Sequence, residues 1–163
     1  DFDYETSLYF SPNCVEQARK AIKRGASIIT DTNMAKAGIN KRVLGKYGGE
    51  VLCFMADEDI AKRAKENGTT RAVASMEKAS ELEGEYIIAV GNAPTALIKL
   101  KELIEENRIK PVLIIAVPVG FVNVVEAKEI ISKCNVPVIV ARGRKGGSNL
   151  AAAICNGILY GIE

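Results

Sequence analysis

The residues best equipped for chemistry are Arg142-Gly143-Arg144-Lys145-Gly146-Gly147-Ser148, where cations, glycines and a hydroxyl follow one another without interruption. The apolar run Pro137-Val138-Ile139-Val140-Ala141 before them reads as a short buried strand, and the Ala-rich stretch from Asn149 to Tyr160 reads as a helix. Glycine lets a backbone approach a ligand closely, and the N–H groups of a helix start favour anions. Arg144 and Lys145 add charge-assisted bonds of roughly 1.5–3 kcal/mol each where they are desolvated. The chemistry offered is capture of a carboxylate or phosphate. A solvated basic turn is the other reading of the same residues.

Three more stretches have this character: Asp31-Thr32-Asn33-Met34, Gly91-Asn92-Ala93-Pro94-Thr95 and Pro118-Val119-Gly120-Phe121. Each ends an apolar run. Asp31 is expected to cap the next helix or bond loop amides rather than act as an acid. Asp57, Asp59, Glu102, Glu105 and Glu106 have helical neighbours and read as solvated faces. Nucleotide fingerprints of the GxGxxG and GxxxxGK[ST] kinds are absent, as is a GxSxG elbow. The chain has no histidine, which removes any imidazole mechanism built from these residues alone. Its four cysteines (Cys14, Cys53, Cys134, Cys155) form no CxxC, so no metal site is expected. Buried reduced thiols in a cytoplasmic protein are the reading they favour.

The elements that must position these stretches follow from periodicity. Ala26 to Thr30, Val51 to Met55, Tyr86 to Val90, Val112 to Val117 and a strand from Pro137 are β-branched apolar runs. Helical patterns begin at Ser11-Pro12 and Asp57, span roughly Ala72 to Glu83, and recur at Ala96 to Ile104 and Val124 to Ile131. The fold class is α/β: one three-layer domain over residues 1–163, with a mainly parallel five-stranded sheet and helices on both faces. In such sheets ligands bind outside the carboxyl ends of the strands, where all four stretches would meet.

A length of 163 residues with 48% hydrophobic and 26% charged content suits one such soluble domain. A net charge of +2 argues against nucleic acid as a partner. No apolar run approaches the roughly 20 residues of a membrane span, so no membrane association is expected. The first residue is Asp rather than Met, and an N-terminal segment preceding Asp1 is expected.

The motifs Gly91-Asn92-Ala93-Pro94-Thr95-Ala96-Leu97, Pro118-Val119-Gly120-Phe121-Val122 with Glu126 and Lys128, and Arg142 to Ser148 resemble those of the precorrin-8X methylmutases, also called precorrin isomerases. The anaerobic form is cobalt-precorrin-8 methylmutase. The likeness extends to Phe10-Ser11-Pro12, Thr30-Asp31 with Met34, and Thr70-Arg71, and so covers essentially the whole chain. It implies an isomerase of cobalamin biosynthesis that moves a methyl group between neighbouring ring C carbons of the macrocycle. The product is cobyrinic or hydrogenobyrinic acid. It implies a homodimer holding a tetrapyrrole at or near the subunit interface, with no separate cofactor; any cobalt would belong to the substrate.

The substrate-binding set expected on this resemblance is Thr32, Met34, Arg71, Asn92, Pro94, Thr95, Gly120, Arg144, Lys145, Gly147 and Ser148. Cations and amides would hold carboxylates, and Met34, Pro94, Val119 and Phe121 would meet the apolar ring. The family's catalytic histidine is expected just upstream of Asp1. A corrin-binding carrier without catalysis is the alternative.

Overall fold

The computed structural model describes residues 7–162. Six strands form one sheet: β1 (Leu8–Phe10), β2 (Ser27–Thr30), β3 (Val51–Leu52), β4 (Tyr86–Val90), β5 (Leu113–Ala116) and β6 (Val138–Ala141), in the order β1-β6-β5-β4-β2-β3. The five expected strands are present and mutually parallel. The expectation of five strands is corrected by β1, which pairs antiparallel with β6 through Leu8↔Ala141 and Phe10↔Ile139. Three residues are too few to show a period of two, and β1 exists because the edge of β6 supplies its hydrogen bonds. β3 stops at Leu52, short of the expected Met55.

The helices are α1 (Cys14–Lys23), α2 (Asn33–Gly38), α3 (Lys41–Gly45), α4 (Glu58–Asn67), α5 (Arg71–Ser80), α6 (Pro94–Glu105), α7 (Val124–Ser132) and α8 (Ser148–Tyr160). They cover both faces, because alternate strand residues feed separate cores. Ile29, Ile88, Val90, Ile114 and Val140 pack with Ile60, Met76, Leu97, Leu100 and Ile131 of α4 to α7. Ile28, Ile87, Ala89, Ile115 and Ile139 pack with Ala18, Ile22, Ala35, Leu44 and Cys155 of α1, α2, α3 and α8. Fully buried parallel strands explain why the sequence showed unbroken apolar runs.

The helix after Asp31 is capped by Thr32 rather than by Asp31, and no helical period marks α2 or α3. They are six and five residues long, each started by a side-chain cap: Thr32 Oγ1 accepts from the Ala35 N–H, and Asn40 Oδ1 from the Val43 N–H. After β2 the chain crosses by α2 and α3 on one face; after β4 it crosses by α6 on the other. The direction of winding therefore reverses between β2 and β4, which opens a crevice at their carboxyl ends. Among the described residues, no helix is long and apolar enough to cross a membrane.

Candidate functional site

Four loops meet at the carboxyl edge, and glycine makes two of the contacts feasible. A Cβ on Gly146 would overlap the Val117 carbonyl, and one on Gly91 would lie 2.8 Å from Ser148 Cα. The Gly147 N–H donates to Val117 O (2.8 Å) and the Gly120 N–H to Arg144 O (3.1 Å), tying the β6–α8 loop to the end of β5. The hydroxyls of Thr32 and Ser148 lie 2.7 Å apart, which ties the start of α8 to the end of β2. The guanidinium of Arg144 stands 5.6 Å over the Phe121 ring, a cation–π contact on a phenylalanine that is 82% exposed.

Two buried charges hold this edge. Asp31 is 1% exposed; its Oδ1 accepts from the Gly91 N–H (2.8 Å), and its Oδ2 from those of Asn92 (2.9 Å) and Ala93 (2.8 Å). Burial pushes its carboxyl above the ordinary range, and the three amides pull in the other direction. The expected role in bonding loop amides is the one it has. Lys128 on α7 is 2% exposed, and its ammonium donates to the carbonyls of Gly143 (2.8 Å) and Lys145 (3.0 Å). Burial brings its pKa down to about 8.

The expected site residues fall at this edge. Thr32 is half-buried, capping α2 and bonded to Ser148, while Met34 in the first turn of α2 is 65% exposed. Asn92, Arg144 and Lys145 are exposed; Pro94, Thr95, Gly120, Gly147 and Ser148 are half-buried. Arg71 opens α5 behind its Thr70 cap, exposed, with Nη1 3.4 Å from the carbonyl of Met55 just beyond β3. Four strand spacings separate β3 from β6, about 19 Å. A ligand held by both Arg71 and Arg144 has to be broad.

Lys128 is the residue whose role sequence reasoning missed. The signal was its position: it falls four residues after Val124 and three before Ile131, inside the apolar stripe of α7. The pairing at the other sheet edge was missed with β1. There the Arg142 N–H donates to Ser7 O (2.9 Å), and its guanidinium sits 4.8 Å over Tyr9. The Asp1-to-Tyr4 stretch that abuts the expected histidine lies outside the described residues.

A cleft of about 830 Å³, lined by Lys101, Ile104, Lys133, Cys134 and Val136, opens at the amino edge of the sheet. The carboxyl edge is an open surface, with Val119 and Val122 exposed beside Phe121. The four cysteines are free, Cys14 and Cys155 buried and Cys53 and Cys134 partly so.

Comparison with known proteins gives this arrangement a context. The family model described as precorrin-8X methylmutase matches residues 1–161. The cobalt-precorrin-8 methylmutase of Methanocaldococcus jannaschii is 46% identical over 159 residues, which is 98% of this chain and 72% of the relative. That of Priestia megaterium is 43% identical over 158 residues, 97% of this chain and 70% of the relative. The solved precorrin-8X methylmutase of Thermus thermophilus superposes with a TM-score of 0.88 at 39% identity, covering 98% of this chain and 78% of that one.

Proposed function

The chain belongs to the precorrin-8X methylmutase family, an isomerase family of cobalamin biosynthesis, and we propose that its carboxyl edge is where the macrocycle binds. The reaction is the family's: a methyl group moves between neighbouring carbons of ring C. The methylmutase relatives lend no support to a carrier without catalysis.

The observation that carries the site assignment is chemical. Arg71, Arg144 and Lys145 share an open edge with the exposed apolar side chains of Met34, Val119 and Phe121. A corrin is a flat apolar ring fringed with acetate and propionate groups, and it needs both kinds of contact at once. Amides of Gly147 and Ser148, with Asn92, Thr95 and Thr32, would bond further carboxylates. Pro94 and Gly120 shape the floor. No separate cofactor enters this scheme, and any cobalt arrives with the substrate.

On the family resemblance the proton that assists the shift comes from a histidine, and residues 1–163 contain none. Such an acid is worth about 10²–10⁴-fold in rate. The exposed Phe121 and Val122 support a homodimer that closes over the ring. The test is an absorbance titration of the native protein with hydrogenobyrinic acid. Saturable binding of one corrin per subunit is expected. No spectral change at high protein concentration would overturn the assignment.

A further inference from the structure

Lys128 takes no part in the scheme above, yet it is the largest side chain among those fully buried. Burying an ammonium is costly, and an apolar residue of similar length would fill the stripe of α7 without that cost. Its two acceptors explain what it does. Both are carbonyls of the β6–α8 loop, those of Gly143 and Lys145, and they flank Arg144.

Every described peptide bond is trans. In a trans peptide the C=O and the following N–H point in opposite directions. With the Gly143 carbonyl turned inward to Lys128, the N–H of Arg144 faces away from it; with the Lys145 carbonyl turned inward, so does the N–H of Gly146. Gly143 reaches this arrangement at φ 85°, in the left-handed region glycine tolerates. Two N–H groups, those of Arg144 and Gly146, therefore turn away from Lys128, each on a peptide whose carbonyl end is bonded to a positive charge. That polarisation strengthens the N–H as a donor.

We propose that Lys128 is a positioning residue that holds the Arg144 and Gly146 N–H groups outward as a receptor for one carboxylate of the macrocycle. The proposal rests on the reading of the carboxyl edge as the corrin site. The ammonium never touches the ligand; it acts through two peptide units. The charged groups around it are Glu129 and Arg142, which line the small cleft beside it, and Arg144 and Lys145 on the loop it holds.

The test titrates hydrogenobyrinic acid into the native protein and its Lys128→Met variant at pH 7 and pH 9. The expected result is a Kd raised about tenfold by the substitution at pH 7. The wild-type Kd should rise from pH 7 to pH 9 as the ammonium loses its proton, and the variant should lack that component. Unchanged affinity in Lys128→Met overturns the proposal. So does weakened affinity with the wild-type pH profile, which marks a merely structural lysine. If Lys128→Met does not fold, Lys128→Gln replaces it, and a wild-type Kd constant from pH 7 to pH 9 is again fatal. Absence of corrin binding by the wild type overturns the reading of the edge, and the proposal falls with it.

Discussion

The β4–α6 loop and the β6–α8 loop are each held by one buried charge, of opposite sign. Asp31 gathers three N–H groups; Lys128 gathers two carbonyls. The loops differ in what they can do without their anchor. Gly91 is buried under Ser148, so its N–H has no route to water. Gly143 and Lys145 are exposed, and their carbonyls can turn to solvent. A buried charge with a buried partner such as the Gly91 N–H secures the fold. One whose partners lie at the surface sets the shape of a loop and leaves the fold little dependent on it.

The sharpest way to break that contrast is to delete both anchors. Asp31→Ala strands the buried Gly91 donor and frees two half-exposed ones, and should cost about 3 kcal/mol, lowering Tm by roughly 10 °C. Lys128→Met relieves a buried charge while freeing two carbonyls to find water, so its stability should stay within about 1 kcal/mol of wild type. Thermal and urea unfolding of the two variants decide the matter. Equal losses would end the distinction.

Gly91→Ala probes the contact between the loops. The added Cβ meets Ser148 Cα and N at 2.8 and 2.9 Å, backbone that cannot swing aside. A loss of about 2 kcal/mol is expected, within the range for overpacking. Arg144→Ala should show the opposite profile. Its side chain is exposed, so stability should hold within about 0.5 kcal/mol. The corrin Kd should rise about 10- to 100-fold, as loss of a charge-assisted bond implies. A destabilised Arg144→Ala would place that loop in the fold rather than in the site.

The legibility of these features in the sequence follows the same division. The buried parallel strands were readable because both faces are covered and every position is apolar, and the strand-end motifs stood out as breaks in those runs. Asp31 was readable as a loop anchor because it ends such a strand. β1 was not readable: its three residues owe their conformation to a partner strand some 130 positions away. Lys128 was visible as a lysine in an apolar stripe, but its role depended on where Gly143 and Lys145 turn their carbonyls. That is a tertiary fact with no local signature. The helices α2 and α3 were hidden because single polar caps, Thr32 and Asn40, start helices too short to show a period.

The smallest effect tests the loop anchor most directly, because its sign differs between stability and binding. Lysine ordinarily titrates at 10.5, and native Lys128 at about 8. Between those values the unfolded chain holds a proton that the native protein has released. The unfolding free energy therefore rises with pH across that interval. From pH 7 to pH 9 the gain attributable to Lys128 is about 1 kcal/mol, and subtracting the same curve for Lys128→Met isolates it from other titrating groups. Over that range the corrin affinity should fall, since a neutral amine polarises the two peptides less than an ammonium does. A lysine retained for stability would be better off neutral, and its loss of charge would leave binding alone. Stability rising while affinity falls, both through Lys128, would mean that the charge is kept at the fold's expense for the ligand. Parallel changes in the two quantities would place the β6–α8 loop with its neighbour, as part of the fold.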